Sequence, residues 1–347
     1  MKKEVNNNGK SKSNTLKKNC IFEKLLGETI TKLDYSNRMA HIDGILVKHN
    51  KFVEAYSELE EVLFLAEYSN YPEQICILGS TGVGKTFLVE EFVEQYPRSI
   101  LSEKTIIPVL YVIVPQNATP RTLASTILNE IGDQFFNSGT EVDMTQRILN
   151  FVDKCETKLI FLDEFQHLIN RDTDHVLKTA SDWLKRFIEA AKIPVVLCGL
   201  PSSKRIFESN DQLDSRYTNR VELKAFSYFS QEEQNEFRVF LKVVDQALPF
   251  PNWSNLADPD VAARIYYFSH GILRYIMRIL RIASKLALKK GKDFISNDEL
   301  RDAYNKITRS HRPFAINPFE LNSFDLLKAM DKEEEEHKKL FNKESKN

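Results

Sequence analysis

Gly79-Ser80-Thr81-Gly82-Val83-Gly84-Lys85-Thr86 decides the fold of this chain. These eight residues fit the P-loop pattern G-x-x-x-x-G-K-[ST] at every fixed position. Ile75-Cys76-Ile77-Leu78, just ahead, reads as a short buried strand. Phe87-Leu88-Val89-Glu90-Glu91-Phe92-Val93, just after, reads as an amphipathic helix that stops before Pro97. Phosphate needs this arrangement for physical reasons. Glycines let backbone N–H groups converge on anionic oxygens, and the helix N-terminus adds a favourable dipole. Lys85 can reach the β- and γ-phosphates of ATP, and the Thr86 hydroxyl can ligate Mg²⁺. The alternative, a glycine-rich turn that binds nothing, loses to the strand and helix on either side.

Downstream, Lys158-Leu159-Ile160-Phe161-Leu162-Asp163-Glu164 is an apolar strand ending in two acids. In a P-loop protein this is the expected second motif. Asp163 would hold Mg²⁺ through water, and Glu164 would polarise the attacking water as general base. From residue 74 onward the pattern alternates between strand and helix. Strands are predicted at 75–79, 109–114, 158–163, 194–199 and 220–225, short and mostly apolar on both faces as buried parallel strands are. Helices fit between them at 85–95, 120–136, 142–154 and 179–191, the second opened by the cap Thr119-Pro120. The fold class is therefore α/β, a P-loop parallel sheet flanked by helices over residues 71–226.

Beyond residue 226 the strand pattern stops. Helical patterns at 230–247, 259–269, 271–290 and 297–309 predict an α-helical lid domain over 227–310. Ser296 followed by Glu299 reads as a capping box for the last of them. Ahead of the sheet, residues 37–68 read as helical within an N-terminal helical extension over 21–70. Residues 1–20 carry six lysines in the first eighteen positions and little to bury, so a disordered basic tail is expected. That run is either a solvated tail or a nucleic-acid-binding arm. Residues 311–347, with Pro313, Pro318 and a dense charge run from Asp331, read as an extended tail for partner binding.

Composition adds bounds. The chain has 347 residues, enough for one large or two moderate domains, and its hydrophobic content of 42% supports a sizeable core. A net charge of −1 gives no global signal for nucleic acid, so any such site must be a local patch. Cys20, Cys76, Cys155 and Cys198 form no metal spacing and read as reduced thiols. No apolar run is long enough to span a bilayer, and the N-terminal lysines precede no apolar stretch. A soluble cytoplasmic protein with no membrane partner is the simplest expectation.

Several arginines could place positive charge near a transferred phosphate. Arg274 lies in Ser269-His270-Gly271-Ile272-Leu273-Arg274, at the start of a predicted helix, and Arg216 and Arg220 lie at the entry to the last strand. Taken together, the P-loop, the Asp-Glu motif, the arginines before strand five and a helical domain with Gly-x-x-Arg resemble the AAA+ ATPases. That resemblance implies that Arg274 is a sensor-2 arginine acting on its own subunit's nucleotide. It implies that Arg216 or Arg220 is an arginine finger reaching a neighbour's ATP, which ties the site to a homo-oligomer. One departure stands out: Leu200 follows Gly199 where the family often has a polar sensor-1 residue, leaving Ser202 or Ser203 for that role.

Within the AAA+ ATPases, residues 38–51, Leu162-Asp163-Glu164-Phe165-Gln166-His167-Leu168, Val195-Val196-Leu197-Cys198-Gly199 and Ile316-Asn317-Pro318-Phe319 are similar to the TniB/TnsC transposition ATPases. The likeness covers roughly residues 35–320. It implies assembly on double-stranded DNA in the ATP state as a ring or helical filament, in a sequence-tolerant and salt-sensitive way. It also implies recruitment of transposase subunits, a target-selection protein as partner, and resetting by hydrolysis. The DNA would pass loops that here hold Gln116, Asn117, Thr119 and Arg121, then Ser138 and Thr140. For those loops the plain reading is a polar turn with a helix cap. Rival functions are an AAA+ replication-initiation or loader ATPase and a signalling or defence P-loop NTPase.

Overall fold

The computed structural model describes residues 18, 20–69, 71–168, 174–307 and 312–344. The basic tail expected over 1–20 lies, apart from Lys18 and Cys20, outside them. In chain order the elements are α1 (Lys32–Asp43), α2 (Asn50–Ala66), β1 (Ile75–Gly79), α3 (Lys85–Glu94), β2 (Ser99–Ile100), β3 (Thr105–Ile106), β4 (Val109–Ile113), α4 (Pro120–Ile131) and α5 (Glu141–Lys154). There follow β5 (Leu159–Asp163), α6 (Asp174–Ala191), β6 (Val195–Gly199), α7 (Arg205–Glu208), α8 (Asp211–Asp214) and β7 (Asn219–Leu223). The remaining helices are α9 (Gln231–Ala247), α10 (Pro259–Ser269), α11 (Leu273–Lys289), α12 (Asn297–Asn305) and α13 (Leu326–Glu344). The chain divides into two units, one of residues 48–227 with 269–276, the other of residues 1–47, 228–268 and 277–347.

The first unit is built on a parallel sheet in the order β4-β5-β6-β1-β7. Every residue of β1, β5 and β6 is buried, which is why these strands read as unbroken apolar runs. Register sets Ile77 beside Cys198 and Asp163 beside Cys198's other edge, so the C-terminal ends of β1, β5 and β6 lie together. Helix α6 covers the sheet with Trp183 and Phe187, whose rings stack 5.1 Å apart. Residues 37–68 are not one helix. Gly44 caps α1, its N–H donating to the carbonyls of Ala40 and His41, and residues 45–49 form no regular element before α2 begins. Helix α4 ends five residues before its expected limit because Gly132 takes a left-handed conformation there and caps it. The small antiparallel pair β2–β3 was not expected.

The second unit is helical, and among the described residues no strand follows Leu223. Arg38 is 1% exposed and ties α1 into it, donating to the carbonyls of Pro249 and Glu23 at 2.7 Å each. The C-terminal stretch is not an extended tail. Arg312 makes a bidentate pair with Glu333 on α13 (2.7 and 2.5 Å), and Glu333 also accepts from the Tyr267 hydroxyl (2.8 Å). Phe319 is buried, and Arg264 holds the carbonyls of Pro318 and Leu321. The charge run itself is helical because opposite charges fall at helical spacing, as in Lys338–Glu334 and Lys339–Glu336.

Glu299 gives this unit a pH-dependent element. Burial alone would raise its pKa, but hydrogen bonds from Ser296, Lys292 and Lys290 outweigh burial and hold it at about 2. Both ammonium groups lie 2.9 Å from its oxygens. A carboxyl held below its unfolded value adds stability above that value, about 4.3, and loses it as pH falls toward the folded one. Glu299→Gln is therefore expected to cost on the order of 2 kcal/mol at neutral pH, discounted because both lysines meet solvent. In urea melts the gap to the wild type should close as pH falls through that window. An equal gap at its two ends would contradict the assignment.

Candidate nucleotide-binding site

The P-loop joins the C-terminal end of β1 to the N-terminus of α3. Gly82 and Gly84 hold left-handed backbone angles (φ 85° and 105°), and buried Val83 anchors the loop from beneath. Ser80 and Thr81 are exposed. At Gly79 a Cβ would stand 2.5 Å from the Leu223 carbonyl, so the loop starts flush against β7. Lys85 folds back over this cradle, its ammonium donating to the carbonyls of Gly79 (2.6 Å) and Ser80 (3.1 Å). Burial lowers the Lys85 pKa, while Glu164 and then Asp163 pull it back toward the charged form. A cation held beside an anion-ready loop by weak neutral acceptors is poised to exchange them for phosphate oxygens.

The acids at the end of β5 face the same loop. Asp163 is 2% exposed, and burial raises its pKa against hydrogen bonds from the Glu164 N–H and the Tyr111 hydroxyl. Its Oδ2 lies 3.5 Å from the Thr86 hydroxyl and 3.0 Å from that of Tyr111, and its Oδ1 accepts from the Glu164 N–H at 2.8 Å. One hydroxyl and one carboxylate are the hard oxygen ligands that Mg²⁺ takes alongside phosphate. Among the described residues no three His, Cys, Asp or Glu cluster to hold a metal alone.

Glu164 is half-buried, in a left-handed backbone conformation (φ 57°), and its carboxylate accepts from the Gln166 side-chain amide. Tyr111 and Gln166 were missed in the sequence. Tyr111 sits in an apolar strand where a tyrosine passes as packing, and Gln166 follows the acids without any spacing that marks it. Of the sensor-1 alternatives, Ser202 is exposed and Ser203 is fully buried, its hydroxyl without a partner among the described residues.

Arg274 is brought to the P-loop itself. Its backbone N–H donates to the Gly82 carbonyl at 3.0 Å, and a Cβ on Gly82 would stand 2.8 Å from the Arg274 Cβ. Only glycine tolerates both that approach and the left-handed angle. The Phe226 N–H, donating to the Gly271 carbonyl at 3.0 Å, fastens this segment to the chain after β7. The two candidate finger arginines differ. Arg220 donates to the Tyr217 carbonyl at 2.8 Å, pairs with Asp214 and lies 4.4 Å over the Phe207 ring. Among the described residues Arg216 has a single ion pair, 2.6 Å to the exposed Glu189.

The loops expected to meet DNA lie together at one edge of this unit. Arg121 donates to the carbonyls of Asn137 (3.1 Å) and Gly139 (3.4 Å), drawing the N-termini of α4 and α5 side by side. Thr119 and Thr140 are the N-caps of those helices, each in a capping box, with Thr122 and Asp143 respectively. Their hydroxyls are thus engaged within the chain, as is the Arg121 guanidinium. Asn117 is exposed, with a left-handed φ of 54°.

Comparison with known proteins follows the same lines. A profile of the family described as Bacterial TniB protein matches residues 38–228, more than half of the chain. The chain belongs to the TniB family. As a TniB-type protein it is an AAA+ ATPase and binds nucleotide. It is also 23% identical over 255 residues to the ORC1-type DNA replication protein 1 of Sulfolobus acidocaldarius, covering 73% of this chain and 62% of that one. Among solved structures it is similar to the Aeropyrum pernix ORC1 protein in complex with DNA (18% identity, TM-score 0.56, 78% of this chain and 69% of that). The Aeropyrum pernix ORC2 protein in its ADPNP–ADP complexes gives 17% identity and a TM-score of 0.55, covering 78% and 72%. These likenesses establish the AAA+ fold, a parallel α/β sheet with a helical unit. No helix of the described residues is long and apolar enough to cross a membrane.

Proposed function

We propose that this TniB protein is an ATP-driven regulator of DNA transposition that assembles on duplex DNA in the ATP state, recruits transposase subunits and is reset by hydrolysis. The observation that carries the reading is the convergence of Lys85, Thr86, Asp163, Glu164 and Arg274 on one loop of a TniB chain. Residues 79–86 wrap the triphosphate with backbone N–H groups, and Lys85 trades its two carbonyls for phosphate oxygens. Mg²⁺ would be held by Thr86 and, through water, by Asp163, neutralising charge on the phosphates. Glu164 takes the proton of the attacking water. Arg274, exposed beside Gly82, offers a cation from the same chain.

A further cation comes from a neighbouring copy, and Arg216 suits that role better than Arg220. One exposed ion pair is worth little and is given up easily, whereas Arg220 is bound to a carbonyl, an acid and a ring within its own chain. Arg216→Ala is expected to lower kcat of the assembled protein at least about 100-fold with an unchanged melting temperature. Arg220→Ala should lower the melting temperature instead. The reverse pattern in paired ATPase and thermal-melt assays would move the finger to Arg220.

For DNA, two adjacent helix N-termini, α4 and α5, with Asn117 and Arg121 beside them, support a phosphate-contacting edge that ignores base sequence. The reading expects a fluorescent duplex to be bound with a non-hydrolysable ATP analogue, with affinity falling steeply as salt rises. Equal binding without nucleotide would refute it. The ORC1-type likeness favours a second reading, a replication-initiation ATPase. Assembly on plain duplex together with capture of a transposase and a target-selection protein separates the first reading from the second.

A further inference from the structure

We propose that Gln166 is the positioning residue for hydrolysis: its side-chain amide spans from the end of β6 to the Glu164 carboxylate and holds that carboxylate toward the phosphate site. The inference rests on Glu164 being the general base.

Gln166 lies in the 3-10 turn Phe165–Leu168 that follows the acids, and it is 5% exposed. Its amide oxygen accepts from the Leu200 N–H at 3.2 Å, and its amide nitrogen donates to Glu164 Oε2. The orientation is fixed by chemistry. A backbone N–H can only donate and a carboxylate can only accept, so only one way round satisfies both ends. Space has been cleared for it. A Cβ on Gly199 would stand 2.9 Å from the Gln166 oxygen and 2.6 Å from the Phe165 ring. The other side of Glu164 is held by its own N–H, bonded to Asp163 at 2.8 Å. Glu164 is therefore gripped at backbone and carboxylate at once.

The partner at the far end is informative. Leu200 follows Gly199 at the end of β6, and its side chain offers no polar group. Its backbone N–H, relayed through Gln166, connects that strand end to the acid that must meet water. The connection replaces a direct polar side chain with a buried amide. A carboxylate on a flexible stem that is left unheld spends most of its time out of line with the water it must activate, so losing the amide lowers the rate without weakening nucleotide binding.

The test uses the full chain with Mg-ATP and duplex DNA, and three variants. Gln166→Met keeps the volume and removes both hydrogen bonds. It is expected to lower kcat by about 10- to 100-fold while KM for ATP stays within about twofold. Gln166→Glu is nearly isosteric and sets a second carboxyl against Glu164. Two adjacent carboxyls resist joint ionisation, so the acid limb of the kcat profile should move up by about one pH unit or more. Glu164→Gln, run in parallel, tests the reading underneath. If that variant hydrolyses ATP at the wild-type rate, the general-base assignment fails on its own account. If it is inactive while Gln166→Met and Gln166→Glu behave as wild type, only the role of Gln166 fails. A fall in kcat for Gln166→Glu with an unmoved acid limb, or a raised KM at constant kcat, would equally overturn it and mark a structural residue. Should Gln166→Met not fold, the pH profile of Gln166→Glu decides alone.

Discussion

Lys85→Ala is expected to abolish nucleotide binding at millimolar ATP while leaving the chain folded. Lys85 is 7% exposed, and among the described residues its ammonium donates only to the carbonyls of Gly79 and Ser80. On the proposed reading, those contacts would give way in the ATP state to charge-assisted bonds to phosphate, each worth about 1.5–3 kcal/mol. Losing two of them weakens binding by roughly 10²- to 10⁴-fold. The folded chain loses little, because burial disfavours the ammonium in the absence of phosphate. The check is a thermal melt with and without ATP. Ligand binding raises the midpoint of the wild type by linkage, and the variant should melt near the same temperature in both conditions. An ATP-dependent rise equal to the wild type's would contradict the assignment.

Glu164→Gln is expected to keep nucleotide affinity within about threefold and to lower kcat by about 10²- to 10⁴-fold, the range that general-base catalysis supplies. Glutamine preserves size and can still bond to the Gln166 amide, so the effect isolates the loss of a proton acceptor. Assemblies of this variant with ATP should persist where those of the wild type decay. Steady-state phosphate release and the lifetime of the assembly check the two halves of this expectation. Hydrolysis at the wild-type rate would remove Glu164 from the mechanism.

The parts of this protein that were legible in its sequence are those where chemistry acts locally. Phosphate binding demands glycines and a lysine at fixed spacing, and strands buried on both faces must be apolar runs, so residues 75–86 and 158–164 could be read directly. Strand order could not, because β1 lies between β6 and β7 through crossovers that leave no local mark. Tyr111 escaped for the same reason, its partner Asp163 lying 52 residues away, and so did the bridging role of Gln166, whose second partner, the Leu200 N–H, lies 34 residues away. The C-terminal charge run misled because acidic runs usually face solvent, whereas Glu333 is buried against Arg312. Ala329, one helical turn before Glu333, is buried too, and that spacing was the available signal. At Thr119 and Thr140 the capping boxes explain why hydroxyls read as candidate DNA contacts are occupied by their own backbone.

The central claim, that nucleotide turns this TniB chain into an assembly on DNA, is most directly tested by negative-stain electron microscopy of the purified protein. The samples are the protein alone, with short duplex DNA, with a slowly hydrolysed ATP analogue and Mg²⁺, and with all together. Rings or filaments only when nucleotide and DNA are both present is the predicted result. Monomers under every condition would contradict it.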